Sequence, residues 1–160
     1  MIRIARQTEY AARVLSHLAS LEAESSAAIA EISRQRLMPA PFVRRVVARL
    51  VGAGILKTIR GSKGGVQLGR PAAKISLLDL MEAMENPIAL NECERFPDKC
   101  PFSSSCPVRQ AWISVSAALA RHLASIRFDA LARGANDHAI ALVKIVAKPA
   151  RRPARRCSYP

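Results

Sequence analysis

Three cysteines stand close together in this chain, Cys93, Cys100 and Cys106, with six and then five residues between them. The pattern has neither the paired Cys-x2-Cys knuckles of a zinc ribbon nor an accompanying pair of histidines. Three thiolates on one loop can reach a common centre, yet they leave a four-coordinate site one ligand short. Soft thiolates on a loop suit the irons of an iron–sulfur cluster foremost. Zinc, redox-active thiols and mere bystander cysteines are the other readings this spacing allows. Cys157 lies alone near the last residues and reads as a bystander.

A second constellation is basic. Counted at about 100° per residue from Phe42, the apolar residues Phe42, Val43, Val46, Val47 and Leu50 fall within an arc of roughly 140°. Arg44, Arg45 and Arg49 fall on the other side. One face can dock on a core while guanidinium groups, whose planar forks match guanine edges and phosphate oxygens, face outward. Alone, such a face is also what any solvated helix presents. Arg60-Gly61-Ser62-Lys63-Gly64-Gly65 follows, a turn that puts Arg60 and Lys63 among glycines and lets backbone approach a phosphate or a minor groove. Two basic elements in this order favour DNA as the partner.

The elements that must position these residues can be read from periodicity. Tyr10, Ala11, Val14, Leu15, Leu18 and Leu21 recur at helical spacing, with Thr8 as N-cap and Glu9 in the first turn. Ser25 and Ser26 open a second, short helix through Ile29 and Ile32 to about Arg34. A third begins near Pro41, tolerated in a first turn, and stops at Gly52 and Gly54. The runs Ile55 to Ile59 and Val66 to Leu68 flank the glycine-rich turn as a β-hairpin. Ser76-Leu77-Leu78-Asp79 starts a further helix with a capping box, ended by Asn86-Pro87. Residues 87 to 107 form the cysteine loop. From Pro107 to about Phe128 a long helix carries Trp112, Val115, Leu119, Leu123 and Ile126 as a stripe, which fits a two-helix seam or burial in the chain's own core.

Composition narrows the function classes. In 160 residues, 25 Lys and Arg against 12 Asp and Glu give a net charge of +13, which draws a chain to polyanions. Half the residues are apolar, but no run approaches the about 18 consecutive ones of a membrane span, and the N-terminus shows no secretory signal. Four cysteines without such a signal imply a cytoplasmic protein with reduced thiols. His17, His122 and His138 are scattered, with no nucleophile motif, phosphate loop or carboxylate pair near them, so catalysis is not expected.

From Thr8 to Leu131 the chain resembles the iron–sulfur-cluster regulators typified by IscR, NsrR and RirA, the Rrf-type winged-helix family. The likeness is carried by Thr8-Glu9-Tyr10-Ala11, by Arg49-Leu50 through Gly54-Ile55-Leu56, by Arg60 to Gly65, by Leu68-Gly69-Arg70 and by the three-cysteine loop. The resemblance implies homodimers whose long C-terminal helices cross, with a cluster near the interface controlling DNA affinity or site choice. It places Pro41, Arg44 and Arg45 in a major groove and Arg60 in the adjoining minor groove. Some members supply a histidine three residues after the last cysteine; that position here is Arg109, which cannot coordinate metal in its charged form. Others use a carboxylate from the other subunit's first helix, and the matching residue is Glu9, whose alternative role is a favourable position near the helix dipole.

The fold expected is therefore mainly α, a winged helix-turn-helix DNA-binding domain with a two-stranded wing plus a long C-terminal dimerisation helix. The expected divisions are 1–86 for the DNA-binding domain, 87–107 for the cysteine loop, 108–134 for the dimerisation helix and 135–160 for a basic, flexible tail. The cluster, 2Fe-2S or 4Fe-4S, is expected on Cys93, Cys100, Cys106 and Glu9. DNA, as an imperfect palindrome, is expected on Pro41, Arg44, Arg45, Arg60 and Lys63. The alternative is a winged-helix regulator of the same fold using its cysteines as a thiol sensor or zinc site.

Overall fold

The computed structural model describes residues 4–61, 64–85 and 87–134. Lys63, Cys157 and the tail at 135–160 lie outside the described residues. Helix α1 (Arg6–Ala19) buries Ala11, Val14, Leu15 and Leu18, one stripe at steps of three and one. It starts two residues before Thr8. Ala5 is its N-cap, so Thr8 sits inside the first turn, buried rather than capping.

Helix α2 (Ile29–Gln35) begins later than Ser25 and Ser26 suggest. The residues before it are extended because Ala27 exchanges two backbone hydrogen bonds with Val66, at 3.0 and 2.9 Å, satisfying strand groups that would otherwise be left open. That approach requires glycine at position 65, where a Cβ would stand 2.4 Å from the Ala27 carbonyl oxygen.

Helix α3 (Ala40–Gly52) carries Pro41 in its first turn, where the missing N–H has no helical acceptor to lose. It closes in a Schellman motif. Gly54 takes φ +70° and donates to Val51 O at 2.9 Å, while Ile55 N donates to Leu50 O at 2.9 Å. Val43, Val46, Val47 and Leu50 are buried, as the arc predicts. Phe42 is not; it remains 43 % exposed. Strands β1 (Leu56–Ile59) and β2 (Gly65–Leu68) then pair antiparallel, Leu56 opposite Leu68 and Ile59 opposite Gly65.

Helix α4 (Leu77–Met84) has the expected capping box: Asp79 N donates to Ser76 Oγ at 3.1 Å and Ser76 N donates to Asp79 Oδ2 at 2.7 Å. Burial by itself pushes the Asp79 carboxyl up, but hydrogen bonds from Ser76 and Arg70 outweigh it and hold it below its ordinary range. The cysteine segment contains a four-residue helix α5 (Glu92–Arg95) and a 3-10 turn at Pro97–Lys99.

The long C-terminal helix is shorter than periodicity suggests. Helix α6 spans Pro107–Ser125, and Ile126 turns extended at φ −85°, ψ 110°. Leu77 N donates to Ile126 O at 2.9 Å and Phe128 N to Ile75 O at 3.0 Å, so the chain pairs there with the segment that enters α4. Helix α7 (Phe128–Ala132) follows, and its Phe128 is fully buried in the core shared by α1, α3 and α4. Ile126 is buried past the end of α6, and so does not continue a stripe on that helix. Hydrogen bonding and burial stop the helix where an unbroken 3.6-residue period would let it run on. Among the described residues, no helix is long and apolar enough to cross a membrane.

Candidate functional site

The basic face of α3 is open. Arg44, Arg45 and Arg49 are all exposed, as is Pro41 at the helix start. Helix α3 packs against α1, α2 and α4, which leaves its opposite face free. Arg60 is exposed at the end of β1, where the wing turns. A hydrogen bond from Gly64 N to Gly61 O at 2.9 Å tightens that turn. The arginines of α3 and of the wing thus stand on a helix and a hairpin held to one core.

Phe42 belongs to this surface, although periodicity assigns it to the core. Its ring meets Tyr10 of α1 edge to face, with centroids 6.1 Å apart and planes at 73°. The Arg45 guanidinium carbon lies 4.6 Å from the Phe42 ring centroid.

Cys93 lies in α5, Cys100 follows the 3-10 turn, and Cys106 is the N-cap residue of α6. All three are half-buried and free of disulfide bonds. Among the described residues, no three His, Cys, Asp or Glu side chains are grouped so as to hold a metal ion. The loop is held through its backbone. Arg109, in the first turn of α6, donates from Nε to the Cys93 carbonyl oxygen at 3.0 Å, and its Nη1 lies 3.5 Å from Ser103 O. Leu90 N donates to Ser116 Oγ at 3.3 Å and to Glu94 Oε1 at 3.1 Å. Arg109 has no ligand role to play, but its position between two carbonyls could not be read from spacing.

Glu9 is exposed on α1 and forms an ion pair with Arg13 one turn on. Exposed pairs of this kind contribute little, so the carboxylate is held only weakly. Within one protomer it does not join the cysteines in a metal-holding group. On α6 only Ser116 is fully buried, while Val108, Trp112 and Val115 are 60, 39 and 50 % exposed. Leu119 and Leu123 are half-buried.

A family model described as "Rrf2: Iron-dependent Transcriptional regulator" matches residues 4–134, a span that takes in every described residue. The chain belongs to the Rrf2 family. It is 36 % identical over 111 residues to Protein aau3 of Rhizobium meliloti strain 1021, covering 69 % of this chain and 71 % of that one. It is 30 % identical over 109 residues to the HTH-type transcriptional regulator NsrR of Oceanobacillus iheyensis, covering 68 % and 74 %. In structure it resembles CymR, described as the global cysteine regulator of B. subtilis, at TM-score 0.69 and 25 % identity over 83 % of this chain and 98 % of that one. IscR of T. potens shares the fold at TM-score 0.66 and 19 % identity, over 84 % and 88 %. This Rrf2 chain is thus a winged-helix, DNA-binding transcriptional regulator and not an enzyme. Rrf2 regulators typically act as dimers.

Proposed function

We propose that this Rrf2 regulator carries an iron–sulfur cluster on its cysteine loop and uses it to sense iron, redox state or nitric oxide and so control operator binding. The observation that carries the reading is the donor set: three free, half-buried thiols on one short segment attached to α6. Three thiolates fit the terminal ligands that cluster irons require. The family's description as iron-dependent agrees with it. Cys93, Cys100 and Cys106 would hold the cluster, 2Fe-2S or 4Fe-4S, with Glu9 of the partner subunit as the remaining ligand. When bound, such a cluster supplies a centre that oxygen, nitric oxide or iron scarcity can alter, and a carboxylate corner is its weakest point.

The reading extends to a cytoplasmic homodimer on an imperfect palindrome, since two-fold symmetry in the protein calls for symmetry-related half-sites. Pro41, Arg44 and Arg45 would enter the major groove, with Arg60 and Lys63 at the minor groove. A second reading is favoured by one observation, that the three thiols are not grouped for metal in the described structure. Here the same regulator acts as a thiol sensor or zinc protein, in line with its likeness to a cysteine regulator.

The test is anaerobic purification with an absorption spectrum and a count of iron and sulfide. A cluster predicts both elements and visible absorption in the parent, loss of both in Cys93→Ala, Cys100→Ala and Cys106→Ala, and retention in Cys157→Ala. Protein containing zinc alone, or no metal and thiols that oxidise reversibly, would replace the first reading by the second.

A further inference from the structure

We propose that Tyr10 and Phe42 form an aromatic bracket that holds Arg45 ready for base reading, which makes Phe42 a positioning residue for DNA sequence choice. The inference rests on the reading of α3 as the helix that enters the major groove.

Phe42 precedes Arg45 by three positions, the spacing that puts two side chains on one face of a helix. An apolar ring 43 % exposed on a basic surface is not there for the core, which Val43, Val46, Val47 and Leu50 already fill. The guanidinium carbon of Arg45 stands 4.6 Å from the ring centroid, inside the range of about 6 Å over which a cation is attracted to an aromatic face. The ring is itself supported: Tyr10 is half-buried, packs against the core, and meets Phe42 edge to face. Among the described residues, neither Arg44 nor Arg49 has an ion pair or a ring contact to restrain it. An arginine free in solvent must give up rotamer freedom to make a planar two-point contact with guanine. One already held over a ring has surrendered part of that freedom before binding.

The consequence is specific. Phosphate contacts tolerate a mobile guanidinium, whereas a bidentate base contact does not. Loss of the bracket should therefore lower affinity for a preferred sequence more than affinity for DNA in general.

The test begins with a duplex selected by the parent dimer from a randomised pool and a scrambled duplex of equal length, both measured at one salt concentration. Phe42→Leu should weaken binding to the selected duplex about two- to fivefold, the size of an exposed cation–π attraction, and leave the scrambled duplex unchanged. Phe42→Trp, which keeps an aromatic face, should restore the preference. In an Arg45→Ala background, Phe42→Leu should cost nothing further, because the side chain it positions is gone. Equal losses on both duplexes, or an undiminished Phe42→Leu effect without Arg45, would overturn the bracket alone. If Arg45→Ala bound the selected duplex as tightly as the parent, the assignment of Arg45 to base reading would fall and the bracket with it. Phe42 is exposed, and a matching thermal unfolding curve for each variant separates these outcomes from misfolding.

Discussion

The Thr8 hydroxyl donates a 2.7 Å hydrogen bond to the Glu85 carboxylate, joining the first turn of α1 to the residue that ends α4. The same oxygen accepts from Ala5 N at 3.1 Å, so a carboxylate distant in sequence caps the start of α1, where its charge suits the helix dipole. Glu85 also stands at the point from which the chain departs toward the cysteines. Glu85→Ala should leave a buried hydroxyl without its acceptor and cost about 1–3 kcal/mol, read from urea unfolding. Thr8→Val, which removes donor and hydroxyl together, should cost less. A Glu85→Ala protein as stable as the parent would show that water replaces the cap.

Phe128 is a second anchor, just past the C-terminal end of α6. Its ring is fully buried among residues of α1 and its neighbours, so Phe128→Ala should destabilise the fold by about 3–5 kcal/mol. Equilibrium unfolding measures it directly.

His17 should make stability depend on pH. Burial, reinforced by the charge of Arg36 and opposed by Glu31, holds its imidazole below the ordinary value of 6.5. Among the described residues its Nε2 is buried without a hydrogen-bond partner, consistent with a neutral ring. Below pH 6.5 the unfolded chain takes up the proton more readily than the folded one. The contribution is therefore present above that pH and is lost as pH falls toward the lower folded value. Unfolding curves should lose stability on acidification through this window, and His17→Gln should flatten that loss.

Val115 tests the apolar face of α6. It is 50 % exposed beside Trp112 and Val108, and Val115→Glu should leave the protomer fold intact. If this face is the seam of a dimer, a charge placed there should shift sedimentation toward monomer, because desolvating it without a counter-charge is costly. An unchanged dimer would move the interface elsewhere.

Arg109→Ala should loosen the cysteine loop without removing a thiol, because Cys93 O and Ser103 O would lose their shared donor. Faster labelling of Cys93 by a thiol reagent in metal-free protein is the expected result, with Arg109→Lys falling between parent and Ala. Equal labelling rates would leave Arg109 with a surface role only.

Local signals were legible where the physics is local. The capping box at Ser76 and Asp79, the glycine stop of α3, the hairpin around Gly61 to Gly65 and the outward arginines of α3 depend on neighbours a few residues away, and each stands where spacing puts it. Of the five apolar residues that periodicity places on the core face of α3, four are buried. It misassigns Phe42 because an arc of angles says which side a residue occupies, not where the neighbouring helix stops covering it. Tyr10, from another helix, defines that edge.

What the chain order alone determines is an inventory with spacing: a basic helix, a basic hairpin and three thiols on one segment, each set by backbone period, glycine and proline. Tertiary structure alone decides which of these meet. It breaks the C-terminal helix at Ile126, because Leu77 and Phe128 offer backbone pairing and burial that a continued helix would forgo. It turns Thr8 from a cap into a donor for Glu85, and sets Arg109 across the cysteine loop. Contacts between residues far apart in the chain depend on how the helices pack, and no period within one helix encodes that packing.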